Sequence, residues 1–314
     1  MMFLLVFSSC RKDAPESELM DPDKNQISDF YFASNLGGQF ELWKAAKEGD
    51  EKITSGENEK WWPRVSPNGR LMLFYKSTLS DDFFDFSSSS LWVMNLESRE
   101  EKEVFATKAH NWLNHGMANW SPNGESIVFC AQIDSTNRWQ LFTSDSDGSN
   151  LAQLSTRTGY DYLDPVFAID GKSVFCSIVP NDEFANSVNY ELFEIDLESS
   201  TETRLTYNDK SDHHAHPSPD GKKLMYETLV DPDYLTIGKW EINELDLVSG
   251  RSSSRVQNDN LNLYPRYSSD GEHAYFISVD VFNLRASIER INLQSGLIES
   301  VRSDSNDYIS IDPF

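Results

Sequence analysis

The sequence predicts an all-β protein, a six-bladed β-propeller of four-stranded antiparallel blades. A turn phrase close to Ser-Pro-Asn/Asp-Gly recurs along the chain, and each copy precedes a short apolar run. The final glycines of successive copies lie 47 to 55 residues apart, and self-similarity at this period is typical of propellers and solenoids. The five copies are Ser66–Gly69, Ser121–Gly124, Ala168–Gly171, Ser218–Gly221 and Ser268–Gly271.

The phrase has the chemistry of a hairpin turn. Pro presets φ at the second position, Asn or Asp tolerates the third, and Gly supplies the positive φ required at the fourth. The runs that follow, such as Leu71–Tyr75 and Ser126–Phe129, are too short for helices and rich in strand-forming residues. Each copy therefore predicts a turn that leads into a buried strand.

Each repeat is predicted to contain four strands. The first precedes the turn, as at Trp62–Val65, and the second is the apolar run that follows the glycine. A third strand follows, as at Leu91–Leu96, and then a shorter fourth, as at Glu103–Phe105. Four antiparallel strands per repeat, without crossover helices, favour a propeller.

The two ends of the chain predict the sixth blade. Residues 29–54 supply a second, third and fourth strand but no first strand and no turn phrase. The C-terminal segment Asp307–Phe314 resembles the first strand at Asp161–Pro165 and then stops. We expect this segment to join the N-terminal blade as its innermost strand, because closing the ring removes an open sheet edge. The predicted propeller domain spans residues 27–314.

The acidic composition excludes one class of partner. The formal net charge is −24, whereas nucleic-acid binding needs basic patches that neutralise phosphates. The same charge repels an anionic membrane surface, so we expect membrane contact only through a lipid anchor. We expect the protein to be a monomer.

The N-terminal segment 1–10 is a brief apolar run that ends in Phe7-Ser8-Ser9-Cys10. It is too short to span a bilayer and lacks the positive n-region of a complete secretory signal. It resembles a bacterial lipoprotein signal, which implies lipidation of Cys10; an apolar leader with an incidental cysteine is the alternative. Residues 11–26 are charged and contain Pro, a composition that predicts a flexible tether.

Two further cysteines lie within the predicted propeller. Cys130 follows Phe129 and Cys176 follows Phe175, each at the end of an apolar strand. Two such thiols do not make a disulfide framework. We expect free core cysteines, with a bond between neighbouring strands as the alternative.

The repeat resembles that of a known family. Each repeat contains a proline and an aromatic residue, then a phrase close to Ser-Pro-Asp-Gly, then an apolar run. This order resembles the repeats of TolB-like six-bladed propellers, also called WD-like propeller repeats. The resemblance covers residues 27–314 and implies a bacterial envelope protein, periplasmic or surface-exposed at the outer membrane. Similar repeats also occur in prolyl oligopeptidase-like peptidases, oligogalacturonate lyases and bacterial lipoproteins of unknown role. The matching segments are Pro63–Phe74, Asn119–Phe129, Pro165–Phe175, His216–Tyr226 and Pro265–Phe276.

Propeller geometry predicts the position of a ligand site. First-to-second and third-to-fourth strand connections open on one face of the ring, which we call the turn face; the other connections open on the loop face. Irregular segments such as 81–86 and 180–189 fall on the loop face, and unusual loops on a rigid scaffold commonly carry function. We expect a concave mouth there, although the same aromatics could instead fill the spaces between blades. The candidate ligand-binding residues are Trp61, Trp62, Trp112, His115, Tyr162, His214 and His216.

The histidines also suggest a metal site. His214 and His216 point to the same side of a strand because the side-chain period is two. With His213 or His115 they could supply three nitrogens to a divalent ion. Resemblance to oligogalacturonate lyase-like propellers implies a central His-bound metal. The alternative is that these histidines hydrogen-bond or stack on the channel wall.

Three functional hypotheses follow. The leading one is a non-enzymatic, lipid-anchored envelope propeller that binds a protein, peptide or glycan at the channel mouth and needs no cofactor. It is favoured because the chain contains neither a Gly-x-Ser-x-Gly elbow nor an α/β segment for a Ser-His-Asp triad. The alternative is a metal-dependent carbohydrate-active enzyme resembling oligogalacturonate lyase. A third hypothesis is a passive spacer in an envelope assembly.

Overall fold

The structure is a computed structural model that describes residues 30–36, 38–46, 49–80, 83–157, 159–179, 189–233, 238–283, 285–303 and 307–313. The predicted signal segment with Cys10, the tether 11–26 and most of the predicted loop 180–189 lie outside the described residues. In the part of the chain that is described, no helix has the length and apolar character needed to cross a membrane.

The described residues form 24 strands in six four-stranded sheets, which confirms the predicted fold class. Each sheet is one blade, and its strands are ordered from the innermost outward. Blade 1 contains β24 (Tyr308–Asp312), β1 (Phe30–Ser34), β2 (Glu41–Ala45) and β3 (Glu51–Lys52). Blade 2 contains β4 (Glu59–Val65), β5 (Leu71–Ser80), β6 (Phe83–Asn95) and β7 (Glu101–Phe105). Blade 3 contains β8 (Trp112–Trp120), β9 (Ser126–Ile133), β10 (Arg138–Asp145) and β11 (Ala152–Gln153).

The other three blades repeat the same order of consecutive strands. Blade 4 contains β12 (Tyr162–Phe167), β13 (Ser173–Ile178), β14 (Glu191–Asp196) and β15 (Glu202–Arg204). Blade 5 contains β16 (Ser211–Pro217), β17 (Lys223–Asp231), β18 (Lys239–Asp246) and β19 (Arg251–Val256). Blade 6 contains β20 (Leu261–Tyr267), β21 (His273–Asp280), β22 (Arg285–Asn292) and β23 (Ile298–Arg302).

The C-terminal strand closes the ring, as the sequence predicts. Strand β24 pairs antiparallel with β1, with Ile311 opposite Phe32. Ile311 is fully buried, and the rings of Phe32 and Tyr308 lie 5.7 Å apart. Apolar burial and ladder hydrogen bonds therefore join the two ends of the chain in one blade.

The repeated phrase forms the predicted hairpin turn in every copy. In the first copy, the amide of Gly69 donates to the carbonyl of Ser66 at 2.8 Å, and the Ser66 hydroxyl accepts the amide of Leu71 at 2.9 Å. The turns also pack on one another: a Cβ added at Gly124, where φ is +71°, would lie 3.4 Å from Cδ of Pro67. The glycine is needed for its backbone conformation, and the preceding turn packs against it at van der Waals distance.

One segment differs from the sequence prediction. Residues 81–86 were expected to form an irregular loop, but β6 already begins at Phe83 and continues the hairpin with β5. Thr78 pairs with Asp85 and Ser80 with Phe83. Phenylalanines favour strands, and a longer hairpin gives backbone groups partners that a loop would leave to water.

The two propeller cysteines are buried and free, which confirms the prediction made for them. Cys130 and Cys176 lie in the second strands of blades 3 and 4. Burial raises the pKa of both thiols, because a thiolate is poorly solvated in the core. They therefore serve as small apolar core residues.

Candidate functional site

A β-bulge recurs in the innermost strand of each complete blade. In blade 5, for example, the register shifts between His213 and His216. In all five complete repeats, the residue seven positions before the turn glycine has positive φ. A bulged residue with positive φ is uncommon outside glycine, and such conformations concentrate at functional sites. These five residues, which we call the upper ring, are Trp62, Met117, Asp164, His214 and Tyr264.

Members of the upper ring meet at the axis of the propeller. The ring of His214 lies 4.6 Å from that of Tyr264 and 5.8 Å from that of Trp62, centroid to centroid. Trp62 and Tyr264 are 5.6 Å apart and perpendicular. Because the three residues belong to blades 2, 5 and 6, they can make contact only in the central channel.

Asp164 is the buried acid of the upper ring. Its carboxylate accepts a hydrogen bond from Nδ1 of His213 at 2.8 Å, and its other oxygen lies 3.1 Å from Nε2 of His214. Burial alone raises the pKa of Asp164, but His214 and His213 outweigh burial and lower that pKa to about 2. The aspartate is therefore charged across the physiological range.

His214 lies between two carboxylates. Its Nε2 faces Asp164, and its Nδ1 lies 2.8 Å from Oε1 of Glu227. Burial lowers the pKa of His214, yet Asp164 and Glu227 together outweigh burial and raise it. The two carboxylates therefore favour the protonated form of the ring more than water does.

Ser211 extends this chain of hydrogen bonds. Its hydroxyl lies 2.9 Å from Nε2 of His213, whose Nδ1 in turn contacts Asp164, so the distances match those of a catalytic triad. However, Ser211 is only 2% exposed, and its oxygen accepts the amide of Tyr190 at 3.2 Å. The hydroxyl therefore orients His213 and is not presented to a substrate.

A second layer, the lower ring, lies two residues further along each innermost strand. Its side chains join neighbouring blades. Arg64 Nε donates to Asn119 at 3.2 Å, and Asn119 Nδ2 donates to the carbonyl of Pro165 at 2.9 Å. The amide of Tyr267 donates to Nδ1 of His216 at 3.2 Å. The lower ring consists of Arg64, Asn119, Val166, His216 and Arg266, with Asp312 at the corresponding place in β24.

A small cavity of about 20 Å³ lies between the two rings. Its wall combines upper-ring residues Trp62, Asp164, His214 and Tyr264 with lower-ring residues Arg64, Asn119, His216 and Arg266. This volume accommodates about one water-sized group. Between the two rings, the channel therefore has room for one small group and not for a folded domain.

Three of the seven predicted ligand-binding residues line this channel: Trp62, His214 and His216. The structure places the other four in the core, within a blade or between two blades. Trp61 stacks on Tyr75 at 4.7 Å and donates to the hydroxyl of Ser77. The hydroxyl of the fully buried Tyr162 ring donates to Glu202 at 2.7 Å. These residues therefore support the channel from within the core.

Trp112 and His115 lie in an aromatic cluster between blades 2 and 3. Trp112 packs 5.5 Å from Phe105 and 5.4 Å from Phe129. His115 is buried beside them, and its Nε2 lies 3.3 Å from the carbonyl of Ala106. Burial lowers the pKa of His115 to about 4, so the ring is neutral. A period-two pattern cannot predict this placement, because the bulge reverses the facing of residues before it.

Among the described residues, no three of the four histidines proposed as metal ligands have ring nitrogens that all lie within 4.8 Å of one another. His115 lies within the aromatic cluster, while a ring nitrogen of His213, His214 and His216 already contacts a carboxylate or a backbone amide. In the described ranges, one group of three potential ligands has its atoms within 4.8 Å of one another. That group is Asp270, Glu272 and His273, on the turn face. The geometry of the described residues therefore supplies no central ligand set.

Sequence reasoning missed much of the channel, including Arg64, Asp164, Tyr264 and Arg266. One signal in the sequence could have found them. When the repeats are aligned on their turn glycines, these residues lie seven or five positions before the glycine, in a strand that is otherwise largely apolar. Glu227, a charge inside the buried strand β17, is a second such signal. Buried charges are rare unless they are paired.

Comparisons with known proteins agree with this architecture. No protein-family model matches the chain. An uncharacterized protein of Agrobacterium fabrum, Atu1656, is 25% identical over 130 residues. Those residues are 40% of this chain, and the chain spans only 41% of the relative's length.

Two solved structures are similar over most of the chain. TolB from Acinetobacter baumannii has a TM-score of 0.66 at 13% identity, covering 90% of this chain and 66% of that one. A putative TolB from Agrobacterium tumefaciens also has a TM-score of 0.66, at 14% identity, covering 92% and 99%. The fold is that of the TolB-like propellers.

A third similar structure is named for an enzyme. Oligogalacturonate lyase in complex with manganese has a TM-score of 0.60 at 13% identity, covering 90% of this chain and 76% of that one. At such identities the likeness establishes the fold alone. The function depends on the chemistry of the channel.

Proposed function

We propose that this TolB-like propeller is a non-enzymatic binding protein of the bacterial cell envelope. Its channel receives part of a protein, peptide or glycan from the loop face, and lipidation of Cys10 attaches the chain to a membrane. The observation that carries the proposal is the upper ring, in which Trp62, His214 and Tyr264 meet at the axis. Aromatic groups combined with a few convergent charges are typical of ligand sites.

The arrangement favours binding over catalysis. The Ser211 hydroxyl is buried and already holds a backbone amide. His213 and His214 are each held by Asp164, and His214 also by Glu227. Groups locked in this way make a rigid recognition surface with little loss of entropy when a ligand binds.

Photo-crosslinking in cells tests the binding face. A photoreactive residue at Phe282, which is 73% exposed in the β21–β22 connection of the loop face, is expected to form a defined protein or glycan adduct. The matched control is Val248, which is 84% exposed in the β18–β19 connection of the turn face. Adducts formed only from position 248 would indicate that the partner binds the turn face, and would contradict a site on the loop face.

The role of the channel is tested in the same experiment. His214→Gln should lower the adduct yield from position 282 at least tenfold, because it removes the charge between Asp164 and Glu227. The exposed control Lys222→Gln should leave the yield unchanged. Equal yields in all three proteins, each checked for folding by circular dichroism, would show that the partner does not use the channel.

The envelope location requires a separate measurement. We expect metabolic labelling with an alkyne fatty acid to mark the wild-type protein and Cys130→Ser but not Cys10→Ser. Cys130 is a suitable control because its thiol is buried. Labelling that persists in Cys10→Ser would contradict the lipid anchor.

A further inference from the structure

We propose that the lower ring of the channel is a carboxylate-binding site formed by Arg64, Arg266 and His216. The site is inferred from the charges and contacts of these residues. The identity of its natural ligand rests on the proposed function, in which a chain end or an acidic group enters the channel.

The charges of the channel are unevenly distributed between the two rings. At the level of the upper ring, Asp164 and the neighbouring Glu227 of β17 both contact His214, and Asp164 also contacts His213. In the lower ring, the guanidinium groups of Arg64 and Arg266 have one nearby carboxylate among the described residues, Asp312, which contacts Arg266 Nε at 3.2 Å. The lower ring therefore has two cations and one anion.

Arg64 is a buried cation without full compensation. It is 2% exposed, and its bonds go to neutral groups: the side chain of Asn119 and the carbonyls of Pro63 and Ile311. Burial, followed by the charge of Arg266, lowers the pKa of Arg64 well below its usual range. A buried charge that is not neutralised costs free energy, and an entering anion would offset this cost.

The remaining donors face the cavity between the rings. Arg266 lines that cavity, and among the described residues its buried Nε has no hydrogen-bond partner of good geometry, although Asp312 Oδ1 lies 3.2 Å away. His216 also lines it, and its Nδ1 accepts the amide of Tyr267. The proton of the neutral ring is therefore on Nε2, which is a third donor.

The size and shape of the site favour a carboxylate. A cavity of about 20 Å³ admits one small group. Guanidinium forks match the planar carboxylate and bind it with paired hydrogen bonds. The net charge of −24 repels anions from the molecule as a whole, so any specific uptake must come from these local donors.

Thermal unfolding in sodium acetate, which replaces sodium chloride at constant ionic strength, tests the site. For the wild type we expect a saturable rise in the unfolding midpoint, because a ligand that binds only the folded state stabilises it. Arg266→Gln should raise the half-saturating acetate concentration at least tenfold. Arg251→Gln, an exposed change on β19, should behave as the wild type. The same acetate dependence in all three proteins would reduce the effect to a general influence of salt and overturn the proposal.

Two further variants keep the test decisive if Arg266→Gln folds poorly. His216→Gln should weaken acetate binding, whereas Asp312→Asn should strengthen it at least tenfold, because it removes the one competing carboxylate among the described residues. Acetate should also restore the stability that Asp312→Asn loses in chloride. Weaker acetate binding by Asp312→Asn, or chloride that stabilises the wild type as well as acetate, would contradict a carboxylate site.

The source of the carboxylate is distinguished with acetyl-triglycine and its C-terminal amide. Binding of the acid at least tenfold tighter than acetate identifies a chain end as the ligand, and equal binding identifies a small free carboxylate; both outcomes support the site. Binding of the amide as tightly as the acid would refute it. These measurements use purified protein without a partner, so their failure is separable from failure of the crosslinking experiment.

Discussion

Replacing Asp164 by Asn tests the electrostatic core of the channel. The change preserves the shape of the side chain but removes the charge that faces Nδ1 of His213 at 2.8 Å and Nε2 of His214 at 3.1 Å. Breaking a buried pair by removing one partner costs about 3–5 kcal/mol, because the other charge stays buried. We expect Asp164→Asn to lower the free energy of unfolding at pH 7 by this amount. The loss is a large fraction of the ~5–15 kcal/mol that stabilises an ordinary domain.

The lowered pKa of Asp164 also predicts how the stability of the protein depends on pH in the acid range. Its pKa is lowered from 3.8 to about 2 in the folded state, so its contribution is fully present above pH 4 and is lost as the pH falls toward 2. The lowered pKa corresponds to roughly 2.4 kcal/mol. The difference in unfolding free energy between wild type and Asp164→Asn should therefore shrink by about this amount between about pH 5 and pH 1, with most of the change between pH 4 and pH 2.

Urea unfolding followed by tryptophan fluorescence measures both effects. The exposed control Asp209→Asn should change the free energy of unfolding by less than about 0.5 kcal/mol at every pH. An Asp164→Asn protein as stable as the wild type at pH 7 would show that Asp164 carries no net stabilising charge. A difference that stays constant down to pH 2 would show that its pKa is not lowered.

Three further predictions address burial, ring closure and chemistry. The pKa of His115 is lowered to about 4 by burial, so wild-type stability should fall by roughly 3 kcal/mol from pH 6.5 to pH 4. His115→Gln should flatten that slope in a pH series of urea titrations, while the exposed His110→Gln should not. Ile311→Ala should cost about 2–5 kcal/mol because Ile311 is fully buried at the ring closure, against less than about 1 kcal/mol for the half-exposed Ile169→Ala, both measured by thermal unfolding. A fluorophosphonate probe should leave Ser211 unlabelled in the native protein, and an adduct found there by mass spectrometry would contradict a non-enzymatic role.

The two rings of the channel have different roles. The upper ring presents aromatic groups and the contact between Asp164 and His214, whereas the lower ring joins blades and carries excess positive charge. The repeated phrase contributes to neither task directly. It sets the register of each innermost strand, so that a bulge lies at the same height in every complete blade.

The amino-acid sequence by itself determined the repeat, the number of blades and the ring closure by β24. These features depend on turn chemistry and on the alternation of apolar residues, which act over a few neighbouring positions. Only the tertiary structure decided the chemistry of the channel. Asp164, His214 and Arg266 are separated in the chain by about 50 residues from one to the next, and they share one site because three blades converge on the axis. Which residue of each innermost strand faces that axis depends on the bulge, a feature of strand pairing that local propensity does not specify.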